Sequence, residues 1–330
     1  MNKEPKYAEL LKHRRNGLVE QVHFGIIMHI GQNGIISKIG EDNNYKFYHR
    51  SCMKPLQVSP IIDLELDKKY NLTSEEIAVC CASHTGDIIH QNLVKSVLNK
   101  AGFSEKDLLC LPHQPLSIEE QQRLILNNEQ PNRLHNNCSG KHSAMLMIAK
   151  ELGFPISNYN AFENPLTDYI LEHVCKLCEV SKKDIVISKD GCGLPVIATK
   201  LEDLGKGFLN LFCSEKYLRI RDAFLNNPYL IGGKNRQDSE IINATDNIVA
   251  KVGACGLCVV VNINKKECIV VKIADSNIEA RAIVTNETLL QLKWSDPVKF
   301  SDQMNNIYSK DIITQDKVVL GDIFSCFNIN

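Results

Sequence analysis

The sequence predicts an α/β (α+β) protein in which an antiparallel sheet from the N- and C-terminal segments packs with a helical lobe. Runs rich in β-branched residues lie near both ends of the chain, at 18–30 and 256–275. Because neither end alone gives a sheet of stable width, we expect the two ends to share one sheet. We therefore predict a single domain over 1–330, with its sheet at 15–50 and 250–330 and its helical lobe at 51–249.

A β-hairpin opens the sheet. The two β-rich runs "LVEQVHFGIIMHI" and "IISKIGED" flank "GQNG", whose glycines and asparagine are typical of a turn. A third β-rich run, "YKFYH", follows at 45–49. The C-terminal part has the runs "GLCVVVNI", "KECIVVKIAD" and "ARAIVTN", which we interpret as strands, with a turn at "NINKK".

Helix-start signals dominate the middle of the chain. Thr73 and Ser74 precede "EEIAVCCASH", Ser104 precedes "EKDLL", and Ser117 precedes "IEEQQRLIL". A longer helical stretch, "ENPLTDYILEHVCKLCEV", comes later. We expect these segments to form the helical lobe.

Composition limits the classes of partner and compartment. The 330 residues include 38 basic and 39 acidic side chains, so that no charge excess points to nucleic acid or to an anionic membrane. No apolar run approaches the roughly 20 residues of a membrane helix, and the N-terminus lacks the apolar segment of a signal peptide. Thirteen scattered cysteines fit a reducing compartment. We expect a cytoplasmic protein whose thiols, such as Cys80, Cys110 and Cys326, are mostly buried.

The strongest candidate for chemistry is the pair Ser51 and Lys54 in "YHRSCMKPLQVSP". At i and i+3 on a helix the two side chains share a face. A serine hydroxyl needs a neighbouring base to act as a nucleophile, and a lysine amine can be that base when burial or a nearby cation lowers its pKa. A capping serine with a solvated lysine gives the same short pattern, so the rest of the sequence must decide.

Three other stretches place reactive side chains at the ends of predicted elements. "CCASHTGD" carries Ser83 and His84 where an apolar run ends, and "NNCSGKHSAML" carries Cys138 and Lys141 at a helix entry. "SKDGCGLPV" sets Asp190 and Cys192 among glycines, which indicates a tight backbone path. Two C-x-x-C pairs, Cys175 with Cys178 and Cys255 with Cys258, have zinc-ribbon spacing, but we interpret them as buried thiols.

Taken together, these stretches resemble the bacterial asparaginase II family of the rhizobial type, which is unrelated to the two-threonine asparaginases. The resemblance covers almost the whole chain and rests on the motifs "RNGLVEQVHFG", "RSCMKPLQVSP", "ASHTGD", "NNCSGKH", "DGCGLP", "GGKNRQDSEII", "KVGACG" and "VVKIAD". It implies a fold like that of the serine β-lactamases and penicillin-binding proteins. It also implies a homodimer.

The resemblance implies an L-asparaginase that hydrolyses the side-chain amide of L-asparagine through a serine acyl-enzyme. Ser51 is then the nucleophile and Lys54 its base, and a supporting serine and lysine fall on Ser83 and Lys272. Lys251 and Lys234 lie in similar stretches and are alternatives to Lys272. Within the same motifs we expect the substrate to be bound by Arg50, His84, Asp190 and Glu20.

The family also carries a zinc ion held by two cysteines and a lysine, and these positions fall on Cys138, Lys141 and Cys192. All three residue types are retained, and all three groups must be deprotonated to bind the metal. We expect zinc to support substrate binding rather than to activate the nucleophile.

Two other functions remain open. S-x-x-K is shared with β-lactamase-like and penicillin-binding hydrolases, although no S-D-N or K-T-G element lies at a suitable distance. The chain could instead be a catalytically inactive zinc-binding protein of the same fold. The preference for asparagine or glutamine depends on one methylene in a pocket and is not predicted by the sequence.

Overall fold

The structure is a computed structural model, and it describes residues 4–296, 304–305 and 307–329. Its strands are β1 (Ala8–Arg15), β2 (Leu18–Gly31), β3 (Gly34–Ile39), β4 (Phe47–Tyr48), β5 (Val186–Lys189), β6 (Pro195–Thr199), β7 (Ile248–Gly253), β8 (Leu257–Asn262), β9 (Glu267–Ile273), β10 (Asp311–Ile313) and β11 (Val319–Ser325). Its α-helices are α1 (Lys54–Val58), α2 (Pro60–Asp63), α3 (Leu66–Lys69), α4 (Ser74–Cys81), α5 (Ile88–Ala101), α6 (Ile118–Leu126), α7 (Ser139–Glu151), α8 (Pro165–Leu177), α9 (Leu201–Phe212), α10 (Leu218–Asn226), α11 (Pro228–Ile231), α12 (Gln237–Ala244) and α13 (Ile278–Gln291). Short 3-10 helices lie at Arg50–Met53, Glu105–Asp107, Arg133–His135, Lys182–Asp184 and Glu215–Tyr217.

One antiparallel sheet joins both ends of the chain, as the sequence predicts. Within the described residues its strand order is β10-β11-β1-β2-β9-β8-β7, and β3 pairs with the second half of β2. The long strand β2 is the junction, because Gly25 pairs with Ile273 of β9 while Ala8 of β1 pairs with Gly25 from the other side. The predicted N-terminal hairpin is β2 with β3, and the predicted turn at 262–266 joins β8 to β9.

A second, small sheet lies inside the segment for which the sequence predicts only helices. It has the order β4-β6-β5 among the described residues. The predicted strand at 45–49 contributes only Phe47–Tyr48, and it pairs here with β6 rather than in the main sheet. The main sheet also begins earlier than the predicted residue 15, because β1 starts at Ala8.

Most predicted helix starts are confirmed by their caps. Thr73 and Glu76 form a reciprocal capping box at the start of α4. The hydroxyl of Ser117 accepts a hydrogen bond from the backbone of Glu120 at the start of α6. Ser104 begins only the 3-10 turn Glu105–Asp107, and the chain becomes extended directly after it.

The prediction of a strand at "ARAIVTN" is wrong, because 280–286 lie within helix α13. The side chain of Asn277 accepts a hydrogen bond from the backbone of Ala280, which fixes the first turn of the helix. The β-branched Ile283 and Val284 are buried. Burial of this helix therefore overrides the intrinsic β-preference of its side chains.

The elements that carry the candidate residues pack very closely. A side chain at Gly253 of β7 would meet the sulfur of Cys52 and the carbonyl oxygen of His49. A side chain at Gly140 of α7 would collide with the backbone of Val79 in α4. These two glycines let β7, the Arg50–Met53 turn, α4 and α7 converge on one region.

All thirteen cysteines are free thiols in the structure. Cys80 and Cys110 are buried as predicted, whereas Cys326 is exposed. Of the two C-x-x-C pairs interpreted as buried thiols, Cys175, Cys178 and Cys258 are buried, but Cys255 is exposed in the turn between β7 and β8. Within the described part of the chain, no helix is both long and apolar enough to cross a membrane.

Candidate active site

A cavity of about 280 Å³ opens where β7 meets the Arg50–Met53 turn. Ser51 and Ser83 both line it, although they belong to different elements. Gly253, Cys255 and Arg236 form other parts of its wall. The two predicted serines therefore face one space that can hold a small molecule.

Lys54 lies directly behind these serines, with its side chain completely buried. Its Nζ atom is 2.6 Å from the carbonyl oxygen of Ala82, 2.9 Å from that of Asn137 and 2.9 Å from the hydroxyl oxygen of Ser83. No hydrogen bond joins Lys54 to Ser51 in the described residues. Lys54 therefore contacts the second predicted serine rather than the first.

The three partners of Lys54 suit a neutral amine. The carbonyl oxygens of Ala82 and Asn137 can only accept hydrogen bonds, so they take two N–H groups of the lysine. The third N–H of the ammonium donates to the hydroxyl oxygen of Ser83, and in the neutral amine this hydroxyl can instead donate to the lone pair of Lys54. Burial lowers the pKa of Lys54, Cys138 opposes that shift, and the cations Lys141 and Lys251 lower the pKa further.

Lys251 supplies a neighbouring cation from strand β7. Its Nζ atom is 3.1 Å from a carboxylate oxygen of Asp238 and 2.9 Å from the carbonyl oxygen of Val252. Both charged side chains of this pair are fully buried. Burial raises the pKa of Asp238, but the cations Lys251 and Arg236 lower it by more than burial raises it. The pKa of this carboxyl is therefore below its ordinary value.

Lys272 has no described contact with the other predicted catalytic residues. It is on β9, and its Nζ atom donates to the carbonyl oxygen of Ile273 at 2.8 Å. Burial lowers its pKa, and the nearby Cys255 and Asp275 oppose that shift. No described hydrogen bond joins Lys272 to Ser51, Ser83 or Lys54, so its predicted role stays a prediction.

Arg50 and Asp190, which we predicted to bind substrate, bind each other. The Nε atom of Arg50 donates to a carboxylate oxygen of Asp190 at 2.8 Å. Another guanidinium nitrogen lies 3.1 Å from the sulfur of Cys255 in the cavity wall. Arg50 has a φ of 47° and Cys255 a φ of 60°, so both hold the less favourable left-handed backbone conformation at the mouth of the cavity.

His84 and Glu20 lie apart from the cavity. The imidazole of His84 is fully buried, with Nε2 3.0 Å from the hydroxyl oxygen of Ser139. Burial and the neighbouring His90 lower the pKa of His84 well below its ordinary value, so this ring is neutral. Glu20 is exposed at the start of β2 and pairs with Arg15 at 3.0 Å.

Cys138, Lys141 and Cys192 come together as the sequence predicts, and all three side chains are buried. The contact with Cys138 lowers the pKa of Cys192, burial opposes this shift, and Lys141 lowers the pKa further. The lowered pKa of Cys192 favours a thiolate beside the amine of Lys141. Asn137, which accepts from Lys54 through its carbonyl oxygen, also accepts from the thiol of Cys138 at 3.2 Å, so this cluster borders the lysine.

The cluster has the chemistry of a soft metal site. Two thiols and an amine are ligand types that zinc accepts after deprotonation. The imidazole of His142 is buried against the thiol of Cys192, and its Nδ1 atom is 2.6 Å from the hydroxyl oxygen of Tyr159. Counting only His, Cys, Asp and Glu of the described residues, no group of three or more is arranged to hold a metal ion.

Comparison with known families connects this arrangement to one of them. The sequence profile described as L-asparaginase II matches residues 11–324. The chain belongs to the L-asparaginase II family. Membership supports a hydrolase of asparaginase type that acts on amides of small molecules, and it agrees with the resemblance seen in the sequence motifs.

The relationships of this L-asparaginase II family member to curated proteins and to solved structures are as follows. No curated protein matches the chain. Among solved structures, it is similar to a β-lactamase from Mycobacterium bovis at 13% sequence identity, with a TM-score of 0.42. That match covers 82% of this chain and 95% of the β-lactamase chain.

The sequence motifs indicated Lys251 only as an alternative to Lys272. The structure places Lys251 near Lys54. The signal that could have favoured it is the order Lys251, Val252, Gly253, which the structure places at the end of β7. This order keeps the lysine and glycine of a K-T-G element and replaces its threonine with valine. Arg236 was not identified as a site residue, because a single arginine in a polar loop carries no chemical pattern of its own.

Proposed function

We propose that this protein is an L-asparaginase that hydrolyses the side-chain amide of L-asparagine to L-aspartate and ammonia. The observation that carries the proposal is the buried amine of Lys54, which is hydrogen-bonded to Ser83 behind a cavity that Ser51 also lines. A buried lysine whose pKa is lowered can accept a proton near neutral pH. Family membership supplies the class of substrate.

The first step makes the acyl-enzyme. The hydroxyl oxygen of Ser51 attacks the carbonyl carbon of the substrate amide, and its proton passes through the hydroxyl of Ser83 to the amine of Lys54. Collapse of the tetrahedral intermediate then breaks the carbon–nitrogen bond. Lys54 returns the proton through Ser83 to the departing nitrogen, which leaves as ammonia.

The second step releases the product. Water attacks the aspartyl ester on Ser51 and gives one proton through Ser83 to Lys54. The ester bond breaks, Lys54 returns the proton to the oxygen of Ser51, and L-aspartate leaves. The buried pair of Lys251 and Asp238 keeps a cation near Lys54, which favours the neutral amine in the resting enzyme.

We also propose that Cys138, Lys141 and Cys192 hold a zinc ion. When bound, zinc would supply a fixed positive charge beside the substrate pocket. The residues of this cluster border Lys54 through Asn137 and contribute no group to the proton relay. Their role in the reaction is to fix the wall of the pocket and its charge.

A homodimer and a cytoplasmic location complete the proposal. Resemblance to the family supports the dimer. The thirteen free thiols support a reducing compartment.

The test is ammonia release by the purified protein with L-asparagine and, separately, with L-glutamine. We expect turnover of L-asparagine by the wild type and none by Ser51→Ala. Hydrolysis of a chromogenic β-lactam with no release of ammonia from L-asparagine would favour the penicillin-type alternative. A folded protein that binds zinc but turns over neither substrate would favour the inactive zinc-binding protein.

A further inference from the structure

We propose that Arg236 binds the α-carboxylate of the substrate and thereby restricts this enzyme to free amino acids. The inference rests on the proposed asparaginase function and adds a substrate-binding residue to it. It starts from the position of Arg236 in the wall of the cavity that Ser51 and Ser83 line.

The backbone holds Arg236 firmly in that wall. The residue lies between α11 and α12, and its N–H donates to the carbonyl oxygen of Gly233 at 3.3 Å. Its own carbonyl oxygen accepts from the N–H of Glu240 at 2.9 Å. Gly233 has a φ of 120°, and a side chain there would collide with Thr85. The chain therefore takes a fixed path that directs the next residues toward Ser83.

The guanidinium of Arg236 has a hydrogen-bond donor that is not satisfied. Its Nε atom is buried and has no hydrogen-bond partner among the described groups. Buried donors are nearly always satisfied in folded proteins, so an unsatisfied one beside a cavity is a position that a water or a ligand can occupy. An anionic ligand would satisfy this nitrogen and a terminal nitrogen together, as a carboxylate does in a two-bond contact with arginine.

The other cations around the cavity already have partners. Arg281 donates to Gln237 at 2.8 Å and to the carbonyl oxygen of Gly253 at 3.0 Å. Arg50 is paired with Asp190, and Lys251 is paired with Asp238. Among the described cations of this wall, Arg236 is the one with a buried nitrogen that no described group satisfies.

No carboxylate of the cavity lining pairs with Arg236, and the nearby Asp238, which Arg236 also influences, is bonded to Lys251. Of the described residues that line it, none is an aspartate or a glutamate. The α-carboxylate is the one anionic group of L-asparagine, whereas the side-chain amide is neutral. Binding the carboxylate at Arg236 leaves the amide free to approach Ser51.

This arrangement predicts a substrate class as well as a contact. The enzyme should act on amides that carry a free α-carboxylate, such as L-asparagine itself. It should discriminate against 3-aminopropanamide, which keeps the amine and the amide but lacks the carboxylate. It should also discriminate against L-aspartic acid diamide, in which that carboxylate is replaced by a neutral amide.

The experiment compares wild type and Arg236→Gln with L-asparagine and with 3-aminopropanamide. For L-asparagine we expect kcat/KM to fall about 10–100-fold, mainly through KM, because a charge-assisted contact is lost. For 3-aminopropanamide we expect no change, because it has no group for Arg236 to bind. An equal fall for both substrates, or no fall for either, would overturn the proposal.

Lys234→Gln is the matched control, because it removes a cation from the same loop. Lys234 is exposed and pairs with Glu119. Its removal should leave discrimination between the two substrates unchanged. If it weakened discrimination as much as Arg236→Gln, the general charge of the loop would be responsible, and the contact proposed here would be wrong.

A binding measurement separates this inference from the proposed function and covers a variant that folds poorly. Arg236→Lys keeps the charge, and we expect it to bind the product L-aspartate more tightly than Arg236→Gln does by calorimetry. β-Alanine, which lacks the α-carboxylate, should bind both variants equally. An inactive wild type that still binds L-aspartate through Arg236 would refute the asparaginase and retain the carboxylate site, whereas binding that is independent of Arg236 would refute the site.

Discussion

Lys251 and Asp238 form an ion pair from which solvent is completely excluded, with 3.1 Å between the amine and the carboxylate. The pair lies between the strand β7 and the helix α12, beside the cavity that Ser51 lines. Two opposite charges in the interior are tolerated because each satisfies the other, so that removal of one leaves the other uncompensated. The following predictions begin from this pair.

Asp238→Asn should destabilise the protein by about 3–5 kcal/mol, because the ammonium of Lys251 loses its buried counter-ion. The pKa of Asp238 in the folded protein is below its ordinary value. The ion pair therefore stabilises the fold fully at pH values above the ordinary pKa of an aspartate, and this stabilisation is lost as the pH falls through the lowered pKa. Denaturant unfolding at neutral pH measures the effect. The exposed pair of Glu119 with Lys234 provides the control, and Glu119→Gln should change stability little. Equal stability of the Asp238 variant and the wild type would contradict the prediction.

Ser51→Ala and Ser83→Ala should differ in the step that they affect. Without Ser51 no acyl-enzyme can form, whereas without Ser83 the ester can still form about 10²–10⁴-fold more slowly, because only proton transfer is impaired. Mass spectrometry of acid-quenched reactions detects the aspartyl adduct. Ser276→Ala removes another hydroxyl from the same cavity and should keep the adduct. An adduct on Ser83 in the Ser51 variant would reverse the two assignments.

The pH dependence of kcat/KM should show an ascending limb, because the reaction needs the neutral amine of Lys54. Lys251 lowers the pKa of Lys54, so the double variant Lys251→Met with Asp238→Asn should move that limb to higher pH. Lys272→Met should leave the limb in place. A shift in the Lys272 variant, with none in the double variant, would instead support the sequence-based assignment of Lys272.

Freshly purified protein should contain one zinc ion per chain, as measured by elemental analysis. Cys138→Ser and Cys192→Ser should each lose the metal, whereas Cys175→Ser, in a C-x-x-C pair far from this cluster, should retain it. Chelation should lower thermal stability or raise KM more than it lowers kcat, because no cluster residue takes part in the proton relay. Metal-free wild type, with both cysteine variants behaving normally, would remove support for zinc.

Thiol alkylation should inhibit the enzyme through Cys255. This thiol and that of Cys326 are exposed, whereas burial raises the pKa of thiols such as Cys81 and Cys258 to about 12. A bulky group on Cys255 would break its contact with Arg50 and enter the cavity. Cys255→Ser should protect activity from a maleimide, and Cys326→Ser should not. Inhibition that persists in the Cys255 variant would place the sensitive thiol elsewhere.

The sequence was sufficient for the central strands β2, β3, β8 and β9 of the main sheet and for several helix starts, since these depend on local patterns. The strands β1, β7, β10 and β11 were not predicted individually. β2 and β9 are long apolar runs in which a strand is the expected structure. Thr73 caps α4 through Glu76, which is only three residues away. The helix α13 was missed because its β-branched residues resemble a strand until tertiary burial is considered. The strand β4 was misplaced because only two of its residues pair.

The site was predicted less completely, because side-chain contacts depend on how distant elements meet. Ser51, Ser83 and the cysteine cluster lie where the motifs implied. Whether Lys251 or Lys272 approaches Lys54 depends on the order of the strands in the sheet, and both lysines lie on apolar strands. The one local difference is the glycine two residues after Lys251, which Lys272 lacks.

The pairing of Gly25 in β2 with Ile273 in β9 has a consequence for biosynthesis. A ribosome delivers β2 early, but its partner emerges only after the entire helical region has been made. Until then the edge of β2 that β9 later covers is unpaired, along the buried residues Ile26, Ile27 and Met28. Such long-range pairing slows folding and leaves nascent chains prone to aggregation. Production of this protein should therefore benefit from slow translation at low temperature and from chaperones that hold unfinished chains.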